Sequence, residues 1–235
     1  MKPQIQKSPS EKVIIFDSST LINFAMNGLI PEFIELKKIF NGKFLITKEV
    51  KEEIIDRPME IKRFELEALK LKQLLEEGII ELPKSMGINE VEISQMTKEI
   101  MNTANNTFFG SKNAIHIIDL GEASCMALSK IFEQKGISNV ISADERTIRI
   151  LSEKPENLLS IFQKKLHTSI TSNKKNYEVF KGFKFIRSSE LMYVAYKKGI
   201  VKLKNGNVLD ALLYAVKFNG CSISDEEISE IKRLG

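Results

Sequence analysis

The chain has 235 residues, of which 43% are hydrophobic and 28% are charged, and its formal net charge is +4. This composition is typical of a globular protein with one elaborated domain or two small ones. No run of about 18 apolar residues is present, so we expect no transmembrane helix and no membrane association. The two cysteines, Cys125 and Cys221, have apolar neighbours and are too few for a disulfide framework or a zinc site.

The N-terminal segment, MKPQIQKSPSEK, is polar and lacks the apolar core of a signal peptide. We therefore expect a cytoplasmic protein. Residues 1–11 are predicted to form a disordered tail. Residues 12–235 are predicted to form a single domain, because the sequence contains no linker long enough to require two.

Short apolar runs of the kind found in buried strands recur along the chain. They are VIIF (13–16), FLIT (44–47), GIIEL (78–82), NVISA (139–143) and FKFI (183–186). Helical patterns lie between them: a capped helix after Asp17, helices over 31–40 and 49–55, a long helix opened by Pro58 and ended by Gly78, one near 92–103, one from Asp119 to Gly136, one through Arg149, one near 157–167 and three more after residue 186. The stretch NTANNTFFGSKN is predicted to be a mobile loop. This alternation indicates an α/β fold, with a parallel sheet and helices on both faces, as in doubly wound proteins.

Two aspartates directly follow predicted strands, Asp17 after VIIF and Asp144 after NVISA. Open parallel sheets bind ligands beyond the carboxyl ends of their strands, so both residues are expected at that edge. Glu53 lies on the helix after FLIT, and Glu122 lies in the first turn of the helix that begins near Asp119. Four separate regions thus direct an acid toward one edge of the sheet. The structural alternative for Asp17 is that it caps the following helix, although Ser18, Ser19 and Thr20 make an acidic cap redundant. The alternative for Asp144 is that Asp is common in strand-to-helix turns.

The glutamates have structural explanations as well. Glu49, Glu52 and Glu53 share one helical turn, so most of them must face solvent. Asp119 and Glu122 fit a D-x-x-E capping box, which explains both without a ligand. We interpret Asp119 mainly as the cap, with a secondary role as an auxiliary metal ligand, and Glu122 as the ligand itself.

Carboxylates that are brought together repel one another and raise each other's pKa, and a divalent cation removes that cost. Mg²⁺ takes oxygen ligands, keeps several waters and bridges to substrate phosphate. Two such ions about 3.5–4 Å apart can activate a water and stabilise the leaving oxygen in phosphodiester cleavage. The four acids therefore favour a site for one or two Mg²⁺ or Mn²⁺ ions. The chain has no convincing Ser-His-Asp or Cys-His set, because its two histidines are far apart in the sequence.

Positive charge is concentrated in residues 155–204, which contain 11 Lys or Arg and 3 Asp or Glu. A basic surface beside a metal site suits a phosphate-rich substrate, but a solvated lysine-rich face explains the charge equally well. The candidates for holding phosphate are Arg146, Arg149, Lys164 and Lys165. The aromatic candidates for base stacking, for which core or loop packing is an equal explanation, are Phe108, Phe109 and Tyr177.

Four blocks of the sequence resemble, in order, those of PIN domains: FDSSTLINF, FLITKEVKEEI, LGEASCMALS and VISADERTIRIL. The C-terminal segments FKFIRSSELMYVAYKKGIVK and LLYAVKFNGCSISDEEI are similar to those of prokaryotic, particularly archaeal, PIN proteins. The resemblance covers most of residues 13–231. It implies one enlarged PIN-like domain with insertions at about 58–115 and 155–180.

The resemblance also implies a three-layer α/β/α sandwich, with a central parallel, doubly wound sheet of about five strands. The family's four acids fall on Asp17, Glu53, Glu122 and Asp144, and Ser19 is the small polar residue that helps to position the first. Glu53 is preferred to Glu52 because the V-x-x-E pattern starts at Val50. Glu145 and Arg146 follow the fourth acid, where a second Asp is more usual.

The activity implied by the resemblance is that of a Mg²⁺- or Mn²⁺-dependent endoribonuclease, with RNA as substrate. A homodimer is implied as well, and an antitoxin protein is a candidate partner. The family's VapC-type toxins are much shorter than this chain, which argues against a toxin role more than against the chemistry.

Two other functions are weighed against the nuclease. A PIN-fold RNA-binding or assembly protein that lacks catalysis is the main alternative, but retention of all four acids argues against it. A phosphatase of the haloacid dehalogenase type also uses an Asp after its first strand. It requires a second Asp two residues later, where this chain has Ser19.

Overall fold

Seven strands occur in the computed structural model, which describes residues 11–111, 113–204 and 206–234. They are β1 (Lys12–Phe16), β2 (Gly42–Leu45), β3 (Phe108–Gly110), β4 (Asn113–Ala114), β5 (Ser138–Ser142), β6 (Ile170–Ser172) and β7 (Phe185–Ile186). Four of them form a parallel sheet in the order β2-β1-β5-β7. Apart from Glu11, the predicted disordered tail lies outside the described residues.

Eleven α-helices are found within the same ranges. They are α1 (Ser18–Met26), α2 (Ile30–Ile39), α3 (Lys48–Lys51), α4 (Glu65–Glu76), α5 (Glu90–Asn105), α6 (Leu120–Gln134), α7 (Arg146–Glu153), α8 (Pro155–Leu166), α9 (Ser188–Lys197), α10 (Val208–Phe218) and α11 (Asp225–Arg233). The predicted α/β class with a parallel sheet is confirmed, and the arrangement is compatible with a three-layer α/β/α fold. No helix in the described part of the chain combines the length and the apolar character needed to cross a bilayer.

The centre of the sheet is β1, whose residues from Val13 to Phe16 are buried. Ile14 pairs with a residue of β2 on one side and with a residue of β5 on the other. A strand with neighbours on both sides and helices over its faces must be apolar throughout, which explains the unbroken VIIF run. One face carries an aromatic cluster, in which the ring of Phe33 from α2 lies 5.1 Å from Phe16 and 5.2 Å from Phe44.

About five strands are predicted for the parallel sheet, and the structure has four strands and one isolated bridge. The GIIEL run contributes only an isolated parallel bridge between Leu45 and Glu81. Two hydrogen bonds make this bridge. The Glu81 N–H donates to the carbonyl of Phe44 at 2.9 Å, and the N–H of Ile46, the residue after β2, donates to the carbonyl of Glu81 at 3.0 Å. Pro83 then opens a 3₁₀ turn, and because proline has no N–H the ladder cannot continue.

A second, antiparallel sheet of order β4-β3-β6 forms where a mobile loop was predicted, so that prediction is wrong. Its strand β3 belongs to the first predicted insertion and β6 to the second, so the two insertions pair with each other. Phe108 is fully buried, with its ring 5.4 Å from Phe162 and 6.0 Å from Tyr177. Phe108 and Tyr177 are therefore core residues and not surfaces for base stacking, whereas Phe109 is partly exposed.

Two helix starts also differ from the expectation. Pro58 opens only a 3₁₀ turn, Pro58–Glu60, and α4 begins at Glu65. The helix that starts at Lys48 continues after α3 as a π-helical turn, Glu52–Asp56. A π turn inserts an extra residue into the helical spacing and changes which side chains share a face, and such turns are frequent at functional sites.

Candidate functional site

Asp17 lies at the carboxyl end of β1, where it caps α1, and only 2% of its surface is exposed. Its Oδ2 accepts hydrogen bonds from the Ser19 N–H at 3.2 Å and from the Ser19 hydroxyl at 2.6 Å. Its Oδ1 is buried and has no hydrogen-bond partner among the described residues. The Ser19 hydroxyl also accepts from the N–H of Asp144 at 3.0 Å. Ser19 thus holds Oδ2 of Asp17 and ties the end of β1 to the end of β5.

Glu53 lies on the π-helical turn and points toward the start of α6. A Cβ atom added to Gly121 would lie 2.8 Å from Glu53 Oε2 and 3.5 Å from Asp119 Oδ1, so both carboxylates border this glycine. Glu52 instead lies 3.8 Å from the ammonium of Lys48. The structure therefore places Glu53, and not Glu52, beside the other acids.

Asp119 and Glu122 form the predicted capping box at the start of α6. The Glu122 N–H donates to Asp119 Oδ1 at 2.9 Å, and the Asp119 N–H donates to Glu122 Oε2 at 3.0 Å. Asp119 is exposed, whereas Glu122 is 7% exposed. Each carboxylate uses one oxygen in the box, and within the described ranges the other oxygen has no protein partner.

These four acids, Asp17, Glu53, Asp119 and Glu122, are called the carboxylate cluster below. Burial raises the pKa of Asp17 to about 6, and the charges of Asp119 and Glu53 add to the rise against the Ser19 hydrogen bonds. Burial raises the pKa of Glu122 to about 8, assisted by Asp17 and Asp119. Burial and then Asp119 raise the pKa of Glu53, against the effects of Ser18 and Arg57. The shifts follow from desolvation first and mutual repulsion second.

Asp144, the fourth predicted ligand, lies next to the cluster but is oriented differently. Its carboxylate is 1% exposed, and both of its oxygens are used. The Asn23 amide donates to Oδ2 at 2.9 Å, and the Ser188 N–H at the start of α9 donates to Oδ1 at 2.8 Å. The Asn23 amide also donates to the carbonyl of Val216 at 2.8 Å. Asp144 thus joins α1 and α9 to the end of β5, and Asn23 extends this connection to α10.

Two residues near the site were not predicted. Asn23 has a visible signal, because it is the one amide within the apolar helical run LINFA. Glu145 caps α7 by accepting from the Thr147 N–H at 3.4 Å, and its charge also raises the pKa of Glu122. No feature of the sequence distinguishes Glu145 from an ordinary helix cap.

The predicted phosphate ligands divide into two pairs. Arg146 and Arg149 lie on α7 and line one cavity beside the end of β5. Lys164 and Lys165 lie in the exposed last turn of α8, a helix that contacts α7 and β6. The structure does not bring the two lysines to that cavity.

The cluster matches a hard divalent cation in the chemistry of its donors, which are all carboxylate oxygens. Asp17, Asp119 and Glu122 each have one oxygen held by the local backbone or by Ser19 and one without a partner in the described chain. Across residues 11–111, 113–204 and 206–234, however, no three acidic, histidine or cysteine side chains stand close enough together to hold an ion as they are placed. Ion binding therefore requires rotation of side chains, for which the exposed Asp119 and half-buried Glu53 have room.

In comparisons with known proteins, no family model, curated protein or solved structure matches this chain. The carboxylate cluster and its neighbours must therefore be interpreted from their own geometry and from the sequence.

Proposed function

We propose that the chain is a divalent-metal-dependent endoribonuclease that hydrolyses RNA phosphodiester bonds at the carboxylate cluster. The observation that carries the proposal is Asp17 Oδ1, a buried carboxylate oxygen without a hydrogen-bond donor in the described structure. A buried unsatisfied oxygen is costly and calls for a missing partner. Other acids surround it and raise its pKa, so the partner that relieves the cost is a cation.

Asp17, Glu53 and Glu122 would hold one or two Mg²⁺ or Mn²⁺ ions, with Asp119 as an auxiliary ligand. When bound, such an ion supplies Lewis-acid stabilisation of the phosphate and a water of lowered pKa. Ser19 fixes the Asp17 carboxylate through Oδ2 and leaves Oδ1 available. A ligand that is held by a second hydrogen bond keeps its orientation when the ion leaves, which favours binding.

Asp144 acts on the site through its backbone in this proposal. Each oxygen of its carboxylate already accepts one hydrogen bond, from Asn23 and from Ser188, and its N–H donates to the Ser19 hydroxyl that positions Asp17. The sequence predicts Asp144 to be a metal ligand. The hydrogen bonds favour a positioning role instead.

The proposal extends to a PIN-like, doubly wound arrangement of the sheet. The four sequence blocks support it, and so does the strand order, in which β2 lies on one side of β1 while β5 and β7 lie on the other. Ligand sites of open α/β sheets lie at such a reversal, beyond the carboxyl ends of the strands. RNA is preferred to DNA because of the sequence resemblance. The homodimer, the antitoxin partner and the cytoplasmic location stay predictions from the sequence.

The test uses a matched pair of neighbouring glutamates. Labelled single-stranded RNA is incubated with wild type, Glu53→Gln and Glu52→Gln in Mn²⁺, in Mg²⁺ and in chelator. Cleavage should require metal, fall at least about 100-fold in Glu53→Gln and persist in Glu52→Gln, because only Glu53 borders the cluster. Mn²⁺ affinity is measured by calorimetry on the same proteins, with Asp17→Asn as the variant expected to lose it.

Cleavage that is equal in the two glutamine variants would refute the proposed site. Metal-independent cleavage, or Mn²⁺ affinity that Asp17→Asn does not reduce, would refute the metal mechanism. Circular dichroism and thermal unfolding establish that each variant is folded, so that a loss of activity reports on chemistry.

One observation favours a second function, that of a catalytically silent PIN-fold protein that binds RNA or assembles with a partner. The acids within the described chain are not grouped as a ready metal site, and both oxygens of Asp144 are already used. This alternative predicts RNA binding in chelator, no Mn²⁺ affinity in calorimetry and no cleavage under any metal condition.

A further inference from the structure

A cavity of about 620 Å³ lies between α7 and the segment that joins α10 to α11. Its lining includes Arg146, Arg149 and Glu153 from α7, Lys217 from α10 and Glu227 from α11. The cavity adjoins the candidate site, because its lining residue Ser222 donates its N–H to the carbonyl of Asp144 at 3.0 Å.

Arg149 has N–H donors in this cavity that the described structure does not satisfy. Its Nη2 donates to the Ser222 carbonyl at 3.4 Å, a long bond, and its Nε is buried without a hydrogen-bond partner in the described structure. A guanidinium has five N–H donors, and a buried charged donor that stays unpaired is costly. The neighbouring Arg187 differs, because it donates to the carboxylates of Glu190 and Glu227. Burial, and then the charge of Arg187, lower the pKa of Arg149, and the charges of Glu190, Glu153 and Glu227 offset only part of that lowering.

The charges that line the cavity leave an excess of positive charge. Three side chains are cationic and two are acidic, and one of the cations, Lys217, is already paired with Asp225 at 2.6 Å. One of the acids, Glu227, is already held by Arg187 at 2.9 Å and by the cap of α11, where it accepts from the Ser224 N–H at 2.8 Å. Arg146 is exposed and forms no ion pair within the described residues. Planar, forked donors beside a second cation match the oxygens of a phosphate group.

An exposed aromatic surface flanks Lys217, which is one of the residues that line the same cavity. The Phe218 ring is 80% exposed and stacks on Tyr214, with ring centroids 5.9 Å apart and an angle of 28°. The ammonium of Lys217, which lines the cavity, lies 5.6 Å from the Tyr214 ring centroid. An exposed ring near a phosphate site is the combination that single-stranded nucleic acids recognise, through one base stacked beside a bound phosphodiester.

We propose that this cavity binds a backbone phosphate of a single-stranded nucleic acid, with Arg149 as the main phosphate ligand and Phe218 as the stacking surface for a nearby base. The path of the strand onward to the carboxylate cluster rests on the function proposed above. The binding itself does not, because neither contact needs a metal ion.

The test is fluorescence anisotropy of the full chain with a labelled single-stranded RNA of about twelve nucleotides, in chelator. Arg149→Gln should weaken binding about tenfold and lower the slope of log affinity against log salt by about 0.7, the value for one lost phosphate contact on a single strand. Phe218→Ala should weaken binding about fivefold or more without changing that slope, because stacking involves no counterion release. The matched control is Arg63→Gln, an exposed arginine outside the cavity, which should bind as wild type does.

Pyrophosphate competition separates the phosphate contact from the base contact. Pyrophosphate should displace the RNA from wild type and from Phe218→Ala at equal concentrations, and it should compete poorly in Arg149→Gln. A double-stranded RNA of equal length should be insensitive to Phe218→Ala, since its bases are already stacked.

Arg149→Gln with unchanged affinity and salt slope, or an equal loss in Arg63→Gln, would overturn the phosphate site. No effect of Phe218→Ala on single-stranded RNA would overturn the stacking surface. Asp17→Asn should bind RNA in chelator at least as tightly as wild type. An experiment that refutes the proposed nuclease activity therefore leaves RNA binding in this cavity untouched, and the reverse also holds.

Discussion

Replacing Glu122 by glutamine should make the metal-free protein more stable at neutral pH. Glu122 is buried at the start of α6, and burial next to Asp17 and Asp119 raises its pKa from 4.5 to about 8. Glutamine has the same shape and is never charged. It is also a normal residue at this position of a capping box, so its side-chain oxygen can still accept from the Asp119 N–H.

The direction of this change in stability follows from proton linkage. The folded state holds the Glu122 proton more tightly than the unfolded state does, so this group stabilises the fold below about pH 4.5 and loses that contribution as the pH rises through about 8. At pH 7 Glu122 is ionised in the unfolded state, and folding must protonate it. The pH is then about 2.5 units above the unfolded pKa of 4.5. This costs about 3 kcal/mol at 1.36 kcal/mol per unit.

The assay is urea unfolding of wild type and Glu122→Gln in chelator at about pH 4, 7 and 8.5. The variant should equal wild type at the lowest pH and exceed it by about 3 kcal/mol at pH 7, a rise in Tm of roughly 6–12 °C. The control is Glu133→Gln on the same helix, where the glutamate is exposed and contacts Lys130 at 2.8 Å. Its effect should stay within about 0.5 kcal/mol.

A variant that is less stable than wild type at pH 7 would refute the argument. So would a difference of equal size at pH 4 and pH 7, because a pH-independent effect reports packing and not an ionisation. Added Mn²⁺ should raise the Tm of wild type more than that of the variant if Glu122 is a metal ligand.

Three further substitutions test other parts of the structure. Gly121→Ala would place a methyl 2.8 Å from Glu53 Oε2, so calorimetry should find Mn²⁺ affinity reduced about tenfold while stability changes by less than about 1 kcal/mol, since the glutamate end can move. Asn23→Ala removes the donor to Asp144 and should lower the unfolding free energy in urea by about 2–4 kcal/mol; a loss below about 0.5 kcal/mol would contradict the hydrogen bonds described. Phe33→Ala opens the aromatic cluster and should cost about 3–5 kcal/mol in the same assay, whereas a cost below about 1 kcal/mol would mean that the cluster is not packed as described.

Much of the local structure could be predicted from the sequence because its causes are local. The VIIF run and the capping box of Asp119 and Glu122 depend on neighbouring residues alone, and each is found where it was expected. The choice of Glu53 over Glu52 came from the spacing of the V-x-x-E pattern. The π-helical turn then places Glu53 at the cluster and leaves Glu52 near Lys48.

The predictions that are wrong concern segments that are distant in the sequence and pair in the fold. The FFG run of β3 is too short and too close to glycine and asparagine to indicate a strand by itself, and it becomes one because β6, about sixty residues later, supplies its partner. The GIIEL run has the right composition for a strand, but Pro83 ends its pairing after one bridge.

For the site, the sequence determined which acids follow strands and start helices, since strand ends and caps are written in adjacent residues. Only the tertiary structure decided which of their oxygens are already used. Asp17 and Asp144 both lie just beyond the ends of their strands, yet both oxygens of Asp144 accept hydrogen bonds, from Asn23 and from the start of α9, whereas one oxygen of Asp17 stays without a partner in the described chain. The cavity at Arg149 has the same origin, because its walls come from segments some seventy residues apart. Such differences depend on which side chains the fold brings to each carboxylate or guanidinium, and no pattern of neighbouring residues encodes that.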